Sequence, residues 1–230
     1  EGWAISTDAA SNPNLSEEHM RLALKSDVPG MDYAVAANPS APADILDTLS
    51  RSEDEGVVER VAANPATPTE VLERLATSDE SAIREAIVSN PSTPVATVDQ
   101  IVTTADPNHP LTRQLLTAAN SNPNLSEKSL RVLTQHVPNE ALRNPNMTDE
   151  LATQAMASLG PGNQPRHYRH DTTHPAPSLA ALAGSSHPFT REMVALNSNT
   201  PTPTLKQLAK DEDNHVRLAA TRTLVSRFAG

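Results

Sequence analysis

The Asn-Pro dipeptide constrains this chain more than any other feature. It recurs at Asn12, Asn38, Asn64, Asn90, Asn122 and Asn144, and the first four copies are evenly spaced. The interval from Asn90 to Asn122 is longer than that period, and the interval from Asn122 to Asn144 is shorter. Two eroded copies follow, Asp171-Thr172-Thr173-His174-Pro175 and Asn197-Ser198-Asn199-Thr200-Pro201, and the step between them restores the original period. A fixed period long enough for a pair of short helices marks a repeat architecture, in which each unit buries its apolar face only against its neighbours.

Asn64-Pro65-Ala66-Thr67-Pro68 is the clearest copy. Proline lacks an N–H and pushes the residue before it out of the α region, so a helix ends at Asn64. Thr67 is then expected to cap the next helix, with Pro68 at its first position and Glu70 completing a capping box. The flanking segments carry apolar residues at helical spacing: Val57 and Val61 before the motif, Val71, Leu72 and Leu75 after it. Helices this short are unstable alone and form only by packing on the next repeat.

Aromatic residues make up only 2% of the chain, so the core must be built from Ala, Val and Leu. Twenty prolines would suggest disorder elsewhere, but most fall in the repeating frame. The net charge of −10 argues against a phosphate-backbone partner. The absence of cysteine removes disulfides, thiolate chemistry and Cys-ligated metal sites. No apolar run approaches the length of a membrane span, so membrane insertion is not expected, and the expected compartment is the cytoplasm.

The expected architecture is all-α, one elongated helical-repeat domain over 1–230 with no β-sheet. Residues 1–11 and 216–230 read as half-repeats, because Ile5 and Ala9 precede Asn12 as Val57 and Val61 precede Asn64. With Glu rather than Met at position 1, the chain is expected to be processed or to be a piece of a longer protein. The repeat starting at Asn90 is long, with the excess placed at Asp106-Pro107-Asn108-His109-Pro110. The next is short, with Pro138 interrupting its second helix over 137–142. Gly160-Pro161-Gly162-Asn163-Gln164-Pro165 marks 160–174 as an irregular segment. Acidic runs such as Ser52-Glu53-Asp54-Glu55 precede second helices, where carboxylates suit the positive helix end.

Ile83-Arg84-Glu85-Ala86-Ile87 followed by Asn90-Pro91-Ser92-Thr93-Pro94, the stretch from Asn64 to Ala76, and Val216-Arg217-Leu218-Ala219-Ala220 resemble the variant leucine-rich repeat of bacterial proteins. The resemblance covers roughly residues 5–224. It implies a right-handed superhelical solenoid of about eight two-helix repeats with alternating α and 3-10 helices, akin to HEAT and armadillo arrays. The cysteine-ligated iron–sulfur module of one described member has no counterpart here. The arginine of the motif is present at Arg84, Arg191 and Arg217. If it pairs with an acid of a neighbouring loop, the middle repeats lack that pairing.

Catalytic constellations are missing. Gly184-Ser185-Ser186-His187 lacks the second glycine and the strand–turn–helix setting of a nucleophile elbow. No glycine-rich phosphate loop is present, and no cofactor is implied. The best metal candidates are His167, His170 and His174, with Asp171 between them and His187 beyond. The expected function is a non-enzymatic scaffold that binds a protein or peptide, favoured to be basic by the acidic balance. The alternatives are an architectural spacer in a larger bacterial protein and, further off, a helical-repeat enzyme acting on nucleic acid.

Overall fold

The computed structural model describes residues 7–26, 28–159 and 174–228. Among these every regular element is an α-helix and none is a strand. The chain divides into two compact units, with the boundary between Asn124 and Leu125.

The N-terminal unit holds α1 (Thr7–Ala10), α2 (Glu17–Leu24), α3 (Met31–Ala36), α4 (Ala43–Leu49), α5 (Glu55–Ala63), α6 (Thr69–Leu75), α7 (Ser81–Ser89), α8 (Val95–Thr104) and α9 (Thr112–Ala119). The odd-numbered helices form one row, each packed on the next: α1 on α3, α3 on α5, α5 on α7 and α7 on α9. The even-numbered helices form an outer row that packs chiefly on the odd row and little on itself. Small buried residues let the odd row approach closely, among them Ala34, Ala36, Ala62, Ala86 and Ala119. The larger side chains Ile45, Leu46, Leu72 and Val98 come down from the outer row to complete the core. The tight turn into α3 needs a left-handed residue, supplied by Gly30 at φ +80°.

The C-terminal unit holds α10 (Glu127–His136), α11 (Pro138–Ala141), α12 (Asp149–Leu159), α13 (Ala176–Leu182), α14 (Pro188–Leu196), α15 (Thr202–Leu208) and α16 (Asn214–Phe228). Helix α12 packs on α10, α11 and α13, and α16 packs on α14 and α15.

The Asn-Pro motif does more than stop a helix. Asn64 is 3% exposed. Its Nδ2 donates to Ala36 O and to Asn38 O, both at 2.7 Å, one repeat back. Its Oδ1 accepts from Ala66 N at 2.9 Å, closing an Asx turn. Asn38, Asn90 and Asn122 make the same pair of backward bonds, to Ala10 and Asn12, to Ala62 and Asn64, and to Val88 and Asn90. The result is a ladder of amides, each satisfying a carbonyl at the end of the preceding odd-row helix, which would otherwise lack a partner there, and sharing the carbonyl of the preceding asparagine with a turn N–H. In the C-terminal unit Thr223 takes a ladder position, its Oγ1 donating to Ala195 O at 2.7 Å.

Four expectations need correction. Thr67 does not cap α6. It is 3% exposed and its Oγ1 donates backwards to Val61 O at 2.5 Å, while Pro68 is the N-cap residue. Thr93 and Thr200 likewise bond Ile87 O and Val194 O. Proline at the cap fixes the helix start without a side chain, which frees the threonine to serve a buried carbonyl. Where Ser replaces that proline it does cap: Ser16 accepts from His19 N, and Ser126 from Ser129 N.

Second, the alternation of α with 3-10 helices is absent among the described residues. Even six-residue α3 is closed by i→i−4 bonds, Ala34 N to Gly30 O and Ala37 N to Tyr33 O. The burial of Val57, Val58, Val61 and Ala62 in α5 follows 3.6 residues per turn. A three-residue turn would spread those side chains around the helix. Bonds of i→i−3 type occur at helix ends and in the punctuation, as from Asn64 N to Val61 O and from Thr67 N to Asn64 O.

Third, Pro138 does not interrupt a helix but begins one, at the first position of α11, where its missing N–H has no helical partner to lose. Fourth, the excess length after Asn90 is only partly in the loop at 106–110. Helix α8 has 10 residues where α4 and α6 have 7, so nearly a full turn was added to the helix itself.

Candidate functional site

Two surfaces of the N-terminal unit are left over once the ladder and the core are accounted for. The first is the exposed side of the odd row. Tyr33, Glu59 and Glu85 stand one repeat period apart, on α3, α5 and α7, and so line up across adjacent helices. The Arg60 guanidinium lies 4.8 Å from the centre of the Tyr33 ring, a cation–π contact that orders both side chains. Among the described residues Asp32, Glu55, Glu59 and Glu85 have no ion-pair partner. On the outer row several charges neutralise each other: Arg21 bonds Glu17 and Asp44 at 2.7 Å, and Asp47 meets Arg74 at 3.1 Å and Arg51 at 3.2 Å. The Arg21 and Arg74 hydrogen bonds hold the Asp44 and Asp47 carboxyls below their ordinary range. Glu70 and Glu73 on α6 are exposed and unpaired.

The second surface is the stretched repeat. The added turn of α8 and the loop after it open a cavity of about 350 Å³ between the ends of α6 and α8 and the starts of α7 and α9. Arg84, Asp106 and His109 line it together with Ser81, Gln100 and Thr104. Arg84 Nη1 donates to Ser78 O at 2.7 Å. Asp106 Oδ1 accepts from Asn108 N at 2.9 Å, an Asx turn of its own loop.

The C-terminal unit shows what this arginine does in a repeat of normal length. Arg191 is the fourth residue of α14, as Arg84 is the fourth of α7. Its Nη1 donates to Ser185 O at 2.8 Å, the same backward step of six residues. Its Nε and Nη2 then grip the Asp211 carboxylate of the next loop at 2.8 and 2.9 Å. The pair is buried, at 8% and 9% side-chain exposure. Hydrogen bonding to Arg191 holds the Asp211 carboxyl below the ordinary range and raises the Arg191 guanidinium in turn. The pairing inferred for the repeat arginine is thus present at Arg191. At Arg217 the guanidinium instead bonds the Asp211 and Glu212 carbonyls and Asn214 Oδ1.

Of the metal candidates, His167 and His170, with Asp171, lie outside the described residues. So does the irregular segment 160–173. His174 is 1% exposed and occupies the buried position that Thr67 and Thr93 hold in their repeats, beneath the N-cap proline Pro175 of α13. His187 is the N-cap residue of α14. Among the described residues no three His, Asp or Glu side chains converge to hold a metal ion, and no helix is long and apolar enough to cross a membrane.

The ladder asparagines had a sequence signal that the helix-stop reading passed over. Any residue before proline is driven extended, yet only asparagine offers one acceptor and two donors on so short a stem. No known family model matches the chain, and no curated protein matches it.

Proposed function

We propose that the chain is a non-enzymatic protein-binding module, of the variant leucine-rich repeat type, whose odd-row face in the N-terminal unit takes a basic peptide segment. The observation that carries this is the alignment of Tyr33, Glu59 and Glu85 on three adjacent helices, with two acids that form no ion pair among the described residues. Adjacent helix axes lie about 8–10 Å apart, which is roughly three residues of extended chain. A peptide in the polyproline II conformation, with three residues per turn and a rise of about 3.1 Å per residue, therefore presents Arg or Lys at every third position on one side, in step with Glu59 and Glu85. Tyr33, 41% exposed and already stacked under Arg60, offers an aromatic edge to the same segment. Electrostatic capture of this kind speeds association and weakens as salt rises.

Fluorescence anisotropy with a labelled Arg-x-x-Arg-x-x-Arg peptide tests the proposal. Binding should weaken with salt and be lost in the double variant Glu59→Gln, Glu85→Gln, but persist when the outer-row residues Glu70 and Glu73 are changed in the same way. Equal loss in both double variants would reduce the effect to bulk charge. No binding by the wild type would favour the spacer function instead.

A further inference from the structure

We infer that the cavity of the stretched repeat is a binding site for a small carboxylic acid, with the ligand carboxylate held on Arg84 where the Asp211 carboxylate is held on Arg191. The two arginines share a helix position and the same bond from Nη1 to the carbonyl six residues back, at 2.7 and 2.8 Å. That shared bond holds one end of each guanidinium against its loop, and at Arg84 it leaves Nε and Nη2 without a hydrogen-bond partner among the described residues. At Arg191 those groups meet a bidentate carboxylate. The acid of the loop after α8 is Asp106, as Asp211 is an acid of the loop after α15. Each supplies the carbonyl accepted from six residues on, Asp211 O from Arg217 Nη1 and Asp106 O from Thr112 Oγ1. Each also caps its own turn, accepting from Asp213 N and from Asn108 N.

Yet Asp106 is not paired with Arg84. The longer α8 sets the loop further on, and Arg84 and Asp106 line the cavity of about 350 Å³ without pairing. A volume of this size suits a ligand no larger than an amino acid or a dicarboxylic acid. Arg84 supplies the rigid two-donor fork that matches a carboxylate. Ser81, Gln100 and Thr104 add neutral hydrogen-bonding groups on the walls, and Ile101 and Leu115 add apolar surface for the ligand's carbon chain. Asp106 and His109 stand at the loop side of the same cavity, where an amino or hydroxyl group of the ligand would find an acceptor.

The inference does not depend on peptide binding by the odd row, and free acids in place of peptides keep the two tests separate. Saturation-transfer NMR on the full chain, with acetate, succinate and a set of α-amino acids as probes, should show at least one probe binding saturably. A peptide ending in a free carboxylate, set beside its C-terminally amidated form, distinguishes a chain terminus from a free small acid as the source. Arg84→Met should weaken binding by about tenfold to a hundredfold, the usual effect of losing a charge-assisted bidentate contact. Arg84→Lys, which keeps the charge and is the gentler change should the Met variant fail to fold, should also weaken it, because the fork is gone. Asp106→Asn should leave carboxylate binding intact or strengthen it. Absence of saturable binding by every probe would overturn the inference. So would binding unchanged in both Arg84 variants, or a loss of thermal stability in Asp106→Asn of the kind expected for a partner of Arg84.

Discussion

Replacing Asn64 with alanine removes one rung of the ladder. The side chain is 3% exposed and makes three hydrogen bonds. Their losses are unequal. Asn38 O keeps a second partner, Ala41 N at 3.0 Å, so it forfeits about 1 kcal/mol, the net worth of one bond. Ala36 O lies at the end of a buried helix, and the rung is its partner there, so it bears a desolvation cost of about 1–3 kcal/mol. Ala66 N is half-buried and recovers part of its loss from water. Asn64→Ala should therefore cost about 2–5 kcal/mol in chemical denaturation. Asn12→Ala is the control, since Asn12 is exposed and keeps only its turn bond to Asn14 N. Its cost should stay at or below about 1 kcal/mol. Asn64→Asp is the sharper variant. It retains the acceptor for Ala66 N but turns a carboxylate towards two carbonyls, so it should be worse than alanine at neutral pH and recover in part on acidification. An Asn64→Ala midpoint equal to that of Asn12→Ala would refute the ladder as a source of stability. So would an aspartate variant as stable as the wild type.

Arg191→Met leaves the Asp211 carboxylate buried with the Asp213 N–H as its remaining hydrogen bond and the Arg217 charge nearby, and should cost about 3 kcal/mol, the lower end for breaking a buried pair. The pH dependence follows from the same pair. Because the folded Asp211 carboxyl titrates below its ordinary value, its contribution is complete above about pH 4 and is lost as pH falls through the lowered folded value. Asp211→Asn should flatten that acid limb in a plot of stability against pH. Gly30→Ala forces a Cβ into φ +80°, although the nearest side-chain atom, Thr7 Cγ2, is 3.7 Å away. The cost is purely of backbone origin, about 1–2 kcal/mol by thermal denaturation.

Much of the fold was legible because punctuation and periodicity report on local physics. The Asn-Pro spacing located the helix ends, and the apolar stripes named core residues such as Val61, Leu72 and Ile87. What escaped was direction. Thr67 is equally suited to donate backwards or to accept forwards, and only the burial of Val61 O beside it decides between the two. The same limit hid the ladder, because the partners of Asn64 lie 26 and 28 residues upstream. The stretched interval after Asn90 pointed to the right repeat. The cavity itself depends on α8 absorbing three of the added residues, a division between helix and loop that spacing does not set. His174, a weak metal candidate in the sequence, fills a threonine position in the core, a placement that composition does not reveal.

The proposed odd-row interface is tested most directly by hydrogen exchange on the full chain with and without the Arg-x-x-Arg-x-x-Arg peptide. Bound peptide should slow exchange in α3, α5 and α7, centred on the helices that carry Tyr33, Glu59 and Glu85, and leave α2, α4 and α6 unchanged. Protection on the outer-row helices, or protection that ignores the Glu59→Gln, Glu85→Gln substitution, would contradict the account.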